Sequence, residues 1–230
     1  MTRASGDAPP GLLAYFSAHH AEILRWLWSH TWLSVLPVLI GLAVSLPLGY
    51  LATRRRWAYP PLVSVGGLLY TIPSLALFVA MPSILGTRIL DPVNVVVALS
   101  VYTVALLSRV VADGLRAVPE DVVAAATAVG HTPLQRLLRV DLPLAVPVIA
   151  AGLRVAVVAN VSLVAIAGTI GVPELGQLFT NGFQLSSGGP YYPPIVWGIV
   201  LCVALALVLD LLIVLGNRAL TPWRRPEVRR

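Results

Sequence analysis

Apolar residues run along this chain in long blocks, with neither the strict alternation of strands nor the one-sided stripe of a soluble helix. Crossing a bilayer takes about 20 mostly apolar residues, and five stretches meet that length: residues 31–53, 61–86, 93–111, 144–167 and 193–216. The first contains Pro37 and Pro47, the second Pro73 and Pro82. Prolines inside a span are tolerated where neighbouring helices satisfy the freed carbonyls. The pattern therefore predicts an all-α, multi-pass transmembrane helical bundle of about five spans, some of them kinked. Ahead of the first span, residues 12–29 place His19, His20, Glu22 and Arg25 between apolar positions at helical spacing. This predicts an interfacial amphipathic helix with Trp26 and Trp28 at headgroup level. A cleaved signal peptide is not expected, because no basic n-region precedes it and Glu22 interrupts it. Residues 168–192, rich in Gly and Pro with Glu174 as their single charge, predict a connection with a short helix near 175–183 tucked against the bundle.

Composition strengthens the membrane assignment. Of 230 residues, 57% are hydrophobic and 11% charged, against roughly 25% charged in an average soluble domain. Mean hydropathy is +0.84. So little charge cannot cover a water-facing surface, and the lipid bilayer must take the apolar surplus. All 16 basic residues are arginine, which excludes the lysine-bearing phosphate loop of ATP-hydrolysing folds. Any ATP hydrolysis belongs to another chain, and no cofactor is expected here. Cys202 is the single cysteine, so an internal disulfide or a cysteine-based zinc site is excluded. The four histidines show neither an H-x-x-x-H nor a His–carboxylate spacing, and no metal is expected. No Gly-x-Ser-x-Gly elbow supports a serine nucleophile, so the chain does not read as an enzyme.

The net charge of +6 is explained by topology rather than by nucleic acid, which is not an expected partner. Arg54–Arg56, Arg109, Arg116, Arg136, Arg139, Arg218, Arg224, Arg225, Arg229 and Arg230 fall on one side of a five-span bundle. The other side holds Arg3, Arg25 and Arg88. The positive-inside rule makes the first side cytoplasmic, with the N-terminus outside and the C-terminus inside. The chain divides into an N-terminal interfacial segment (1–30), a transmembrane domain (31–218) with a cytoplasmic loop at 113–143, and a basic cytoplasmic tail (219–230).

That loop is the one long polar connection, and its signals specify helix–turn–helix. Pro119 at a first-turn position, followed by Glu120 and Asp121, suits a helix start. Val122, Ala126 and Val129 share a face, and Gly130 ends the helix. Thr132 and Gln135 have the spacing of a capping box. Leu134, Leu137 and Leu138 form the next apolar stripe, with Arg136 and Arg139 facing away. A short Ala-rich helix suits docking into another protein's groove; a linker packed on its own bundle fits the same pattern.

Residues Ala124-Ala125-Ala126-Thr127-Ala128-Val129-Gly130, continuing to Asp141-Leu142-Pro143, resemble the "EAA" loop of binding-protein-dependent ABC importer permeases, with Ala124 where a glutamate is usual. Tyr70-Thr71-Ile72-Pro73-Ser74-Leu75-Ala76-Leu77 resembles a signature of the osmoprotectant branch, whose cargo is glycine betaine, choline, carnitine or proline. The run from Leu142 to Arg154 is similar to that branch's fourth-span entry. Gly171-Val172-Pro173-Glu174-Leu175-Gly176 is similar to its glycine-rich outer turn, with Pro173 and Glu174 replacing glycines. Tyr102, Arg109 and Gly114 also sit at the branch's places, while Val110 and Val111 stand where polar residues are usual. The resemblance implies a type I ABC importer permease fold in the bacterial cytoplasmic membrane. It implies two ATP-binding-cassette ATPase subunits, a second permease chain, identical or homologous, and an extracytoplasmic solute-binding protein as partners. It assigns ATPase coupling to Ala124, Ala125, Ala126, Gly130, Thr132, Leu137, Leu142 and Pro143. Tyr70, Thr71, Pro73, Ser74 and Arg154 become candidates for the path or gate. Other cargo, methionine or another amino acid, and a stand-alone channel are the alternatives.

Several polar residues keep two readings. Arg154, deep in the fourth span, is a pore-side gate or a structurally paired arginine. Asp210 in the last span is a proton-relay residue or, since few titratable partners lie in the membrane, rather the structural partner of an arginine. Asn160 reads as interhelical glue rather than as a substrate ligand. Tyr191, Tyr192 and Trp197 form either an aromatic cage for a quaternary ammonium or an interfacial belt.

Overall fold

A computed structural model describes residues 11–184 and 190–222. Residues 1–10, 185–189 and 223–230, and with them Arg3, Arg224, Arg225, Arg229 and Arg230, lie outside the described residues. The described residues form helices joined by short connections, with no strand among them.

Helix α1 (Leu12–Arg54) is one uninterrupted element of 43 residues, about 65 Å long at 1.5 Å per residue. The expected separation between an interfacial helix and a first span is absent, because no capping or breaking residue stands between Ser29 and Thr31. The expected pair of headgroup tryptophans is also divided. Trp26 is buried with Tyr15, Ile23, Leu175 and Leu178, whereas Trp28 is exposed. Two steps of about 100° each carry neighbours at i and i+2 to opposite faces of a helix.

The second apolar block is a broken span rather than a kinked one. Helices α2 (Tyr59–Thr71) and α3 (Ser74–Leu85) meet at a 99° bend. Pro73 has no N–H to continue the ladder, and it holds Ile72 in extended backbone at φ −71°, ψ 127°. The Tyr102 hydroxyl donates to the Ile72 carbonyl, so the break is satisfied from a neighbouring helix.

That neighbour, α4 (Pro92–Arg116), is the central post. It starts where the Asp91 side chain accepts from Val93 N at 3.0 Å, an N-cap followed by proline at N1. Its contact with α1 runs along Gly41, Ser45 and Gly49, spaced by four. A β-carbon at Gly41 would strike Thr103, and one at Gly49 would strike Val111. Ser108 donates to Ser45 at 3.2 Å across the same seam. Lipid supplies no hydrophobic drive between helices, so close backbone approach of this kind holds membrane helices together.

Helices α5 (Glu120–Ala128) and α6 (Pro133–Arg136) form the loop. Helix α7 (Leu142–Ala167) continues α6 through a single wide turn at Leu137–Asp141. Helix α8 (Gln177–Gln184) is the short helix expected near 175–183, and α9 (Tyr192–Leu220) closes the bundle. Among the described residues four helices are long and apolar enough to cross a membrane, five spans if the bent pair counts as one. The core gathers Leu33, Phe78, Leu99, Tyr102 and Val164 from α1, α3, α4 and α7. Asn160 bridges three of these helices, donating to Thr103 Oγ1 at 3.1 Å and the Ser34 carbonyl at 3.4 Å.

Candidate functional site

The loop between α4 and α7 rests on a charged clamp. Arg116 donates to the Ala52 carbonyl at 2.9 Å and stacks its guanidinium 3.7 Å over the Tyr59 ring. The Tyr59 hydroxyl donates to Asp113 at 2.6 Å. The ends of α1 and α4 and the start of α2 are thereby tied together at one end of the bundle. Arg109 pairs with Asp113 at 3.5 Å one turn earlier.

From this base the chain enters α5. Pro119 sits at the N-cap, at φ −58° and ψ 140°, one position before the expected first-turn place. Proline's fixed φ is compatible with both places, and its lack of α-region ψ here decides for the cap. Glu120 and Asp121 follow in the first turn, where negative charge suits the helix dipole. The helix ends in a Schellman motif: His131 N donates to the Ala126 carbonyl at 3.2 Å and Gly130 N to the Thr127 carbonyl at 3.0 Å. Gly130 adopts φ +91°, the left-handed conformation that disfavours any residue with a β-carbon. Thr132 and Gln135 then form both bonds of a capping box, at 2.9 and 3.3 Å.

The turn at Leu137–Asp141 is a π-turn, with Leu142 N donating to the Leu137 carbonyl. Widening here relieves the clash that Pro143 makes with the carbonyl four residues back. The five-residue turn also stacks Arg136 on Asp141 at 3.1 Å, so Arg136 does not face away as expected.

Of the loop residues singled out, Ala124, Ala125, Gly130 and Thr132 are exposed, Ala126 is buried against the chain itself, and Leu137, Leu142 and Pro143 are half-buried. The expected apolar faces are split accordingly. Ala126 and Val122 turn inward, while Val129, 79% exposed, joins Leu134 and Leu138 in an unburied apolar surface beside the alanines. A surface of this make-up, small and apolar with acids at one edge, fits a groove on another protein better than it fits water.

Within the bundle, the candidates for the path have different anchors. Tyr70 is half-exposed and packs edge-on to Tyr102 at 5.5 Å; Thr71, Pro73 and Ser74 form the broken corner fixed to α4. Arg154 is bound elsewhere, in a two-pronged pair with Asp210 on α9 at 2.6 and 2.9 Å. Of the aromatic residues expected as cage or belt, Tyr191 and Trp197 engage the first turns of α1, whereas Tyr192 is exposed. Tyr191 stands edge-on to Tyr15, and Trp197 packs on Phe16 and donates to the Leu12 carbonyl at 3.0 Å.

A further pair escaped the sequence reading. His30 and Glu174 are fully buried, with Nδ1 2.7 Å from Oε2. His30 Nε2 donates to the Val161 carbonyl at 3.0 Å, and Glu174 Oε2 also accepts from Gly176 N at 2.7 Å. The spacing along the chain gave no His–carboxylate signal. The available cue was Glu174 itself, a lone charge in an apolar connection where the resembling branch has glycine. Among the described residues no group of three or more His, Cys, Asp or Glu side chains is placed to hold a metal.

Comparison with known proteins gives one answer. The family model described as "Binding-protein-dependent transport system inner membrane component" matches residues 45–225. The chain is 36% identical over 198 residues to the osmoprotectant import permease OsmW of Salmonella typhimurium, covering 85% of this chain and 90% of that one. It is 30% identical over 211 residues to the choline transport permease OpuBB of Bacillus subtilis, covering 92% and 94%. Among solved structures, an inward-facing MetNI methionine ABC transporter matches with a TM-score of 0.76 at 25% identity, covering 89% of this chain and 98% of that one.

Proposed function

The chain belongs to the family of binding-protein-dependent transport system inner membrane components, and from that premise we propose that it is the permease of an ATP-driven importer for osmoprotectants of the glycine betaine, choline, carnitine or proline class. The family makes it a multi-pass inner membrane protein. The observation that carries the cargo assignment is its likeness, over nearly the whole chain, to permeases named for osmoprotectant, choline and carnitine transport. The likeness to the methionine transporter is lower in identity and bears on architecture.

In this reading the chain performs no covalent chemistry and holds no cofactor. The loop of α5 and α6 faces the cytoplasm, as the arginines gathered at that end of the bundle favour, which puts the N-terminus outside and the C-terminus inside. Two ATPase subunits receive the exposed alanines and Val129, Leu134 and Leu138 of two permease chains, identical or homologous. Rigid ends at the Gly130 turn and the capping box make the loop a body that moves as a unit when the ATPases close. A solute-binding protein docks at the opposite end, and the solute's differential affinity for the two states of the path sets net uptake.

The test is a detergent pull-down of the tagged chain from its native membrane, with partners identified by mass spectrometry and the solute-binding protein then titrated with candidate solutes. Co-purification of an ATPase and a binding protein specific for a quaternary ammonium or proline supports the reading. A binding protein specific for methionine replaces the cargo, and recovery of this chain alone favours a channel.

A further inference from the structure

Arg154 and Asp210 pose an energetic problem. Arg154 lies twelve positions after Leu142 and thirteen before Ala167, so it is about 18 Å from the nearer end of its helix. That depth is near the bilayer midplane, beyond the reach of snorkelling. Yet the pair is not enclosed: 49% of the Arg154 side chain and 24% of the Asp210 side chain are exposed. They form the charged part of an open hollow of about 520 Å³ whose remaining wall includes Ala151, Val155, Ala159 and Ser162. These four are spaced three or four apart and so share one face of α7. Ionised groups at such depth face a water-filled cavity or another polypeptide, because hydrocarbon gives them no compensation.

The chemistry of the pair narrows the choice. Two of the five N–H groups of the guanidinium are used on Asp210; the others meet no acceptor among the described residues. The hollow thus offers, side by side, donors for a carboxylate and a carboxylate for a cation, against a wall of small side chains. We infer that the Arg154–Asp210 pair lines the solute path and is a transient contact site for a small zwitterion, its carboxylate on Arg154 and its ammonium beside Asp210. The pair remains formed when no solute is present, which keeps two charges at the midplane from standing alone. A site of fixed opposite charges also disfavours a solute with a single charge, whose counterpart would lose a partner without replacement. This inference rests on the importer reading above and adds the place and the charge type of the cargo.

Thiol accessibility in the reconstituted complex, with its ATPase and solute-binding protein, tests the site. Ala159→Cys and Ser162→Cys are made separately in a Cys202→Ala chain and treated with a charged, membrane-impermeant thiol reagent. Both cysteines are expected to label, and saturating glycine betaine is expected to slow labelling at least fivefold while choline changes it less than twofold. Absence of labelling, or equal protection by betaine and choline, overturns the site. Arg154→Gln is measured in parallel: betaine uptake is expected to fall at least tenfold with loaded-binding-protein stimulation of ATP hydrolysis retained. Parallel loss of uptake, stimulation and complex assembly makes the pair structural and overturns the inference. If the unmodified complex takes up only choline, the importer reading stands and the zwitterion site falls; if it takes up methionine, or nothing, the importer reading for this cargo has failed and the site falls with it.

Discussion

The imidazole of His30 and the carboxylate of Glu174, 144 positions apart in sequence, meet at 2.7 Å with both side chains fully buried. Nε2 donates to the Val161 carbonyl, so the pair engages both ring nitrogens of His30. It fastens the turn before α8 to both α1 and α7. Removing one partner strands a buried polar group: Glu174→Ala is expected to cost about 3–5 kcal/mol and to lower the detergent melting temperature. The double variant with His30→Ala is expected to lose less than the two single losses added, a coupling of about 0.5–3 kcal/mol. Additive losses in thermal unfolding would show that the two groups do not depend on each other.

Gly130 is the position where backbone geometry alone makes a prediction. At φ +91° a β-branched residue is strained by about 1–3 kcal/mol, so Gly130→Val distorts the turn between α5 and α6. Membrane insertion is expected to be unchanged, with uptake reduced at least tenfold relative to ATP hydrolysis. Normal uptake per ATP in this variant would remove the loop from the coupling step.

Ala125→Arg probes the exposed face without touching the turn. Ala125 is exposed, and the one charge a turn away on its helix, Asp121, is of opposite sign, so the isolated permease should retain its melting temperature. Association with the ATPase, read by co-purification, should weaken at least tenfold.

Thr132→Ala removes one bond of the capping box and is expected to cost about 1 kcal/mol locally. Hydrogen exchange at Gln135 and Arg136, whose amides bond Thr132, should accelerate roughly fivefold, in line with that loss, while exchange in α4 and α7 stays unchanged.

Gly49→Leu tests the α1–α4 seam. Its side chain would occupy the place of Val111, and small-to-large changes in a packed interface commonly cost about 1–3 kcal/mol. The variant should show a lower melting temperature in detergent, whereas Gly67→Leu, where nothing lies within 4 Å, should not.

Features governed by local rules were legible in the sequence. The apolar blocks announced the helices, and the glycine stop and the capping box at Thr132 were readable because their causes lie within a few residues. The resemblance in the Ala-rich loop and at Tyr70–Leu77 led to the family that the comparisons show. Features created by tertiary contact were not legible. Pro73 signalled a kink, but its size depended on Tyr102 being present to satisfy the Ile72 carbonyl. Trp26 and Trp28 looked alike until α8 covered one of them. The partner of Asp210 was expected to be an arginine, and only the packing of α7 on α9 selected Arg154. His30 and Glu174 lie too far apart in sequence for any spacing rule to join them.

Helix α1 is bound at both ends of the bundle. His30 holds it to the turn before α8, and the Ala52 carbonyl holds it to Arg116 beside the loop. The helix runs unbroken between these fastenings, through 22 residue steps or about 33 Å. A rod fastened at two points acts as a lever: displacement of the Arg116 end is felt at the Glu174 turn without a chain of intermediate side chains to relay it. The clamp beside the loop and the turn before α8 are thus parts of one mechanical element.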